Sequence, residues 1–158
     1  MGNIFAASEV VELGVQIEKN GRDFYNTLVT QAYDQRSKDL FQYLAKEEEK
    51  HIVVFQKILG TLDKYEPPQV YADDYMAYMK SLAGEHIFTQ ANKGVEIAKK
   101  VKNEKEAVDL GIKFEQDSIV FYEGMKKVVP EFDQKAVNEL IAQEELHLKK
   151  LLEIKSAL

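Results

Sequence analysis

Two copies of a Glu-x-x-His motif, Glu48 with His51 and Glu144 with His147, are the residues of this sequence best suited to chemistry. Each motif places a carboxylate and an imidazole on one helix face, one turn apart. A further glutamate precedes each motif by about 30 residues, on a stripe that is otherwise apolar. The predicted inward polar residues are Glu18, Glu48, His51, Glu115, Glu144 and His147.

Four carboxylates and two imidazoles in one core favour a site for two divalent cations. Without cations, each buried carboxylate would cost on the order of several kcal/mol even after relaxation. Two cations would cancel the four negative charges and leave the imidazoles neutral. Such donors suit iron or manganese, whereas zinc prefers fewer ligands and has no redox chemistry. A single Glu-x-x-His motif is common without metal, so the prediction depends on both motifs occurring together.

Tyr25 and Tyr122 each lie seven residues after an inward glutamate, two turns along the same helix face. A phenol there could donate a hydrogen bond to a metal-binding carboxylate, which makes both tyrosines candidate catalytic residues. The alternative is a core tyrosine whose hydroxyl is satisfied elsewhere. Gly21 and Ser118 lie one turn beyond the inward glutamates, where small side chains either leave room for a small oxidant or serve helix packing.

The remaining acidic and imidazole groups near these motifs are interpreted as structural. Glu47, Glu49 and Glu145 flank the inward positions and are predicted to lie on solvated faces. His86 is a lone histidine in a connecting segment, where a structural or exposed side chain is expected. These four residues are left outside the predicted metal site.

Helical periodicity places the inward residues on four long helices. The predicted helices run from Ser8 to about Tyr33, from the polar break at 34–37 to about Leu59, from near Asn103 to before Pro130, and from near Asp133 onward. Ser8 is the predicted N-cap of the first helix, and Gly60 is the predicted stop of the second.

A connector over residues 60–102 joins the two helix pairs. Pro67-Pro68 predict an extended turn there, and short helices are expected at 72–83 and 93–101. Two hairpins joined by one long connection make an all-α four-helix bundle with a single crossover.

The two predicted hairpins repeat each other. A shift of 97 residues takes Glu18 to Glu115 and Tyr25 to Tyr122, and a shift of 96 takes the first Glu-x-x-His motif to the second. The inward faces therefore predict a pseudo-twofold bundle, with matching polar residues meeting at its middle.

The composition suits a single domain over residues 1–158, with 45% hydrophobic and 30% charged residues. The absence of cysteine excludes disulfides, thiolate metal sites and iron–sulfur clusters within these residues. A net charge of −6 argues against nucleic acid or an anionic membrane as a partner, and no apolar stretch is long enough to span a bilayer. No secretory signal pattern opens the sequence, so a cytoplasmic location is the default expectation.

The sequence resembles the rubrerythrin family of the ferritin-like superfamily over nearly its whole length. The resemblance depends on Glu18 with Tyr25, Glu48-Glu49-Lys50-His51, Glu115 with Tyr122, and Glu144-Glu145-Leu146-His147. It implies a ferritin-like bundle in which the six inward residues bind two irons, with Glu48 and Glu144 as bridges. It also implies that the diferrous centre reduces hydrogen peroxide and, less efficiently, O2.

Two features depart from the family pattern. Rubrerythrins carry a rubredoxin domain that feeds electrons to the diiron site, and a chain without cysteine cannot build one. An external, rubredoxin-like electron donor is therefore expected. The family glutamate three residues after the helix-three ligand is associated with redox-dependent movement of iron. Ser118 replaces it here, so this movement is not expected.

Two other functions stay open at this point: iron handling of the ferroxidase type, and a metal-free helical interaction module. A homodimer is a further expectation from the family and from the tyrosines and methionines of the connector, although these side chains would equally serve to cover the bundle. The connector residues concerned are Tyr71, Tyr75, Met76, Tyr78 and Met79.

Overall fold

The computed structural model describes residues 7–31, 33–65, 73–86 and 88–158 of the chain, and the regular structure within these ranges is helical, as predicted. The helices are α1 (Ala7–Val29), α2 (Gln35–Tyr65), α3 (Asp73–Glu85), α4 (Lys93–Lys99), α5 (Glu104–Met125) and α6 (Glu131–Ala157). Among the described residues, no helix has the length and apolar character needed to cross a membrane.

The long helices pack as two hairpins, α1 with α2 and α5 with α6. The hairpins meet through contacts of α2 with α6 and of α1 with α5, while α3 packs on α5 and α4 on α1. Their facing apolar stripes form one core, in which phenylalanines such as Phe41, Phe55 and Phe121 are buried. This arrangement confirms the predicted four-helix bundle with one crossover.

The ends of α1 differ from the prediction. Ser8 is not the N-cap, because α1 already includes Ala7, whose buried side chain extends the apolar face towards the N-terminus. The helix ends at Val29 rather than near Tyr33. The backbone N–H groups of the next two residues bond to carbonyls three residues earlier, which tightens and closes the last turn.

Gly60 does not stop α2, which continues to Tyr65. A glycine ends a helix when it adopts a left-handed conformation, and none of the described glycines has a positive φ. Ile58 and Leu62 lie four residues apart and are both buried, so extending the helix through Gly60 adds to the core.

The other helix boundaries lie close to those predicted. Asn103 caps α5 by accepting a hydrogen bond from the Glu106 N–H at 2.8 Å, and α6 begins directly after Pro130. The short helices α3 and α4 match the expected segments to within two residues at each end.

Only part of the connector lies within the described residues. Pro67-Pro68 and Tyr71 fall outside them, and so do the side chains of Tyr75 and Met76. Met79 is buried, with its sulfur against Gly124 of α5, so it helps to cover the bundle, whereas Tyr78 is 49% exposed. The homodimer stays a prediction, which light scattering of the purified protein would test.

A buried asparagine on α1 fastens the connector to the bundle. The Asn20 amide donates to the carbonyl oxygens of Phe88 at 2.7 Å and Gln90 at 2.6 Å, and its Oδ1 accepts from the Gly94 N–H at 3.1 Å. Gly94 also lies so close to α1 that a Cβ there would overlap the carbonyl oxygen of Asn20. The crossover is thus held to α1 by the Asn20 side chain and by a close backbone contact that a larger residue at position 94 would prevent.

Candidate metal centre

The structure brings all of the predicted inward polar residues together at the middle of the bundle. One glutamate comes from α1, one from α5, and a Glu-x-x-His pair from each of α2 and α6. Their side chains are buried: Glu18, Glu48, His51, Glu115, Glu144 and His147. Helical spacing puts them on the inward stripes, and the packing of the two hairpins makes these stripes converge.

The cluster divides into two overlapping groups, in each of which one candidate ligand atom per residue lies within 4.8 Å of the others. One group is Glu18, Glu48, His51 and Glu144, and the other is Glu48, Glu115, Glu144 and His147. Two glutamates, Glu48 and Glu144, therefore belong to both. This is the arrangement needed for two ions that share bridging carboxylates.

Both imidazoles direct Nδ1 towards the carboxylates. Nδ1 of His51 lies 2.7 Å from Glu144 Oε1 and 3.5 Å from Glu18 Oε2. Nδ1 of His147 lies 3.8 Å from Glu48 Oε1 and 3.9 Å from Glu115 Oε1. The two rings are stacked with their centroids 5.7 Å apart.

Tyr25 and Tyr122 form crossed hydrogen bonds between the hairpins. The Tyr25 hydroxyl on α1 donates to Glu115 Oε1 on α5 at 2.8 Å, and the Tyr122 hydroxyl on α5 donates to Glu18 Oε1 on α1 at 2.6 Å. Each tyrosine thus fixes the glutamate of the opposite half. Their catalytic role stays a prediction.

Several buried carboxylate oxygens in the cluster have no hydrogen-bond partner. The tyrosines satisfy one oxygen each of Glu18 and Glu115, which leaves the second oxygens, and both oxygens of Glu48, without a donor. Unsatisfied buried charges are very costly unless a cation or a proton lies beside them. The donor set therefore fits divalent metal ions.

In the metal-free centre, protons take the place of that positive charge. Burial alone would lower the pKa of His51, but Glu18 and Glu144 raise it to about 12. Burial raises the pKa of Glu115 well above its usual range, and the neighbouring Glu144 raises it further. Burial and the charge of His51 lower the pKa of His147 to about 4. Metal binding would have to displace the protons that this cluster retains.

Glu47 differs from the prediction of a solvated face. Its side chain is only 14% exposed, whereas that of Glu49 is 58% exposed and Glu145 is also exposed, as expected. Oε1 of Glu47 lies 3.9 Å from Nε2 of His147, on the side of the ring facing away from the centre. The other oxygen of Glu47, Oε2, pairs with the exposed Lys50 at 2.9 Å.

His86 and Ser118 form a buried pair that the sequence did not reveal. His86 Nδ1 accepts from the Phe88 N–H at 3.2 Å, so its Nε2 carries the proton and donates to Ser118 Oγ at 3.1 Å. Ser118 therefore has a partner rather than empty space beside it. The two residues lie 32 positions apart, and no local pattern could have linked them.

Close packing, rather than room for an oxidant, accounts for Gly21. A Cβ at Gly21 would lie 2.5 Å from the Phe114 ring, so the ring already fills the space beside the glycine. The absence of a side chain lets α5 approach α1 and brings their glutamates within reach of the centre.

Comparisons with known proteins agree with this geometry. The rubrerythrin family model matches residues 9–155, a range that contains the whole buried cluster. A solved structure from Thermotoga maritima, described as a ferritin-like diiron-carboxylate protein, aligns with a TM-score of 0.74 and 26% sequence identity, covering 99% of this chain and 98% of that one. A comparison with curated proteins found no match. A ferritin-like helical bundle thus encloses a buried carboxylate–histidine cluster, and the chain belongs to the rubrerythrin family.

Proposed function

We propose that the protein binds two iron ions at this centre and reduces hydrogen peroxide, and O2 less efficiently, with electrons from outside the chain. The observation that carries the proposal is the pair of overlapping ligand sets with unsatisfied carboxylate oxygens. Two bound ferrous ions would supply the two electrons that, with two protons, convert hydrogen peroxide into two water molecules.

The ligand sets suggest how the residues would divide between two ions. One position would take Glu18 and His51, the other Glu115 and His147, and Glu48 and Glu144 would bridge. Both histidines would bind through Nδ1, the nitrogen that faces the carboxylates. The same donors suit manganese, so elemental analysis and a visible spectrum of the purified protein test the choice of iron.

The chain itself would orient the ligands and exclude water. Tyr25 and Tyr122 would hold the terminal glutamates Glu115 and Glu18 in place, with their hydroxyl protons beside the reacting groups. Burial of the whole cluster keeps bulk water from the centre. No cysteine of this chain could carry electrons through a rubredoxin-type site, so a separate, rubredoxin-like donor is part of the proposal.

Stopped-flow oxidation of the anaerobically Fe(II)-loaded protein tests this function. We expect peroxide to oxidise the wild-type protein faster than O2 does, with about two irons held per chain. Glu144→Gln removes a bridging carboxylate and should lose bound iron and the fast reaction. Its matched control, Glu145→Gln, changes the adjacent exposed residue on α6 and should behave as wild type.

Each other outcome points to a different function. Peroxide reacting no faster than O2 would contradict peroxide reduction. Many irons oxidised per chain in a large assembly would indicate iron handling of the ferroxidase type instead. A melting temperature that neither iron loading nor chelation changes would indicate a metal-free helical module.

A further inference from the structure

We propose that Glu47 makes the two metal positions unequal, so that the position of His147 binds its ion more tightly than the position of His51. Glu47 would be a positioning residue that acts through His147, and Gln143 is its counterpart on the other side. The inference rests on the proposed function, because it takes both histidines to be metal ligands.

Glu47 and Gln143 occupy equivalent places in the two halves of the chain. The shift of 96 residues that relates the two Glu-x-x-His motifs also takes position 47 to position 143, and each residue directly precedes a bridging glutamate. The inward carboxylates and imidazoles are the same in both halves. A carboxylate on one side and an amide on the other therefore introduce a difference in charge next to otherwise matching ligands.

On one side, the amide of Gln143 faces the outer edge of His51. Nε2 of His51 donates a hydrogen bond to Gln143 Oε1 at 2.6 Å, while Nδ1 faces the centre. A neutral imidazole with its proton on Nε2 offers the lone pair of Nδ1 to a cation. Gln143 thus holds His51 in the tautomer that binds metal, without adding charge.

On the other side, the carboxylate of Glu47 faces the outer edge of His147. Nε2 of His147 is buried without a hydrogen-bond partner, and Glu47 Oε1 lies 3.9 Å from it. The other oxygen of Glu47 pairs with Lys50 at 2.9 Å, and the Tyr43 hydroxyl reaches Oε1 only at 3.4 Å. The oxygen nearest His147 is therefore the one least engaged elsewhere.

A carboxylate and an amide beside the outer ring nitrogen affect the electron-donating strength of the imidazole differently. A carboxylate beside the outer nitrogen makes the ring a stronger electron donor and adds negative charge near the ion. Both effects favour the ion held by His147 over the ion held by His51. Because 3.9 Å is beyond hydrogen-bond distance, Glu47 acts through its charge, and we expect its loss to lower metal affinity about 10-fold, the low end of the range for hydrogen-bonded outer partners.

Stepwise titration of the metal-free protein with Co2+, followed by visible absorption, tests the inference without measuring activity. Glu47→Gln makes the two halves alike, and we expect the tighter binding step to weaken about 10-fold while the weaker step is kept. In the mirror variant, Gln143→Glu, the weaker step should tighten and the tighter step should be kept.

Lys50→Met separates this role from a structural one. It removes the ion pair but keeps the carboxylate, so the inference predicts that the tighter step is retained. A purely structural role of the Glu47–Lys50 pair predicts the same loss as in Glu47→Gln. Thermal melts of the metal-free variants establish that each is folded, and Gln143→Glu carries the test alone if Glu47→Gln is not.

The failures of the two proposals can be told apart. Two Co2+ ions bound with unchanged affinities in both Glu47→Gln and Gln143→Glu would overturn the inference and leave the dinuclear site intact. A loss in Lys50→Met equal to that in Glu47→Gln would also overturn it. Failure of the wild-type protein to bind two Co2+ ions would overturn the proposed function and the inference together.

Discussion

His86 is a buried histidine that its surroundings keep neutral. Burial lowers its pKa to about 4, an effect that Asp117 opposes and Lys113 reinforces. Its two ring nitrogens already serve as one acceptor and one donor, towards Phe88 and Ser118. A second ring proton would have no acceptor, because Nδ1 already receives the Phe88 N–H.

The depressed pKa of His86 predicts a loss of stability in acid. As pH falls below about 6.5 the unfolded chain takes up a proton on this ring, whereas the folded protein does so only near pH 4. The contribution of neutral His86 to the free energy of unfolding is therefore complete above pH 6.5. It decreases towards pH 4, by about 3 kcal/mol in all. Urea unfolding of the metal-free protein across this range measures it.

His86→Asn is the control for this titration, because its side-chain oxygen can still accept the Phe88 N–H but does not titrate. The free energy of unfolding of the variant should depend less steeply on pH between 6.5 and 4 than that of the wild type. Parallel pH profiles for the two proteins would show that His86 is not neutral in the fold.

At this scale, the sequence predicts which side chains point inward but not which of them meet. Glu18 and Glu115 can be assigned to the core because a period of 3.6 residues fixes the direction of each side chain on its helix. The bond from Tyr25 to Glu115 spans 90 positions and depends on how the hairpins dock. The prediction of a solvated Glu47 is wrong for the same reason, because its neighbour His147 lies on another helix.

At the scale of the helices, alanine substitutions at two glycines are expected to change the free energy of unfolding in opposite directions. Gly94 of α4 touches the backbone of α1, so Gly94→Ala should force α4 away from Asn20 and cost roughly 1–3 kcal/mol. A Cβ added to Gly60 of α2 would meet no atom within 4 Å, so Gly60→Ala should stabilise the protein by roughly 0.5–1 kcal/mol. Urea unfolding of both variants measures the difference.

This pair is internally controlled, because neither glycine has a positive φ and the same residue is introduced. Equal effects of the two substitutions would contradict the close approach of α4 to α1.

Gly60 also shows why helix ends are harder to predict than helices. The glycine signal is local, whereas the burial of Leu62 beyond it depends on tertiary packing.

For the molecule as a whole, metal binding and folding should be coupled, and Glu115→Gln should separate them. Glutamine keeps an oxygen for the Tyr25 hydroxyl but removes a carboxyl whose pKa burial and Glu144 raise well above its usual range. We expect the metal-free variant to be no less stable than the wild type. The stabilisation by the ion at the His147 position should be lost, whereas the wild type should gain about 2.7 kcal/mol from each ion that is present at 100 times its Kd.

Thermal melts with Co2+ and with a chelator measure both quantities, and Glu145→Gln provides the exposed control. A Glu115→Gln protein that is stabilised by metal as much as the wild type would place the ion away from this carboxylate. A metal-free variant much less stable than the wild type would mean that the charged glutamate stabilises the fold by itself.

The crossed tyrosine–glutamate bonds also bear on how the protein matures. Each hairpin supplies the hydroxyl that completes the other's carboxylate, and both positions use glutamates from α2 and α6. In a nascent chain whose second hairpin has not yet docked, neither group of candidate ligands is complete. Metal binding would therefore follow the docking of the two hairpins, and an incompletely folded chain would bind metal ions only weakly.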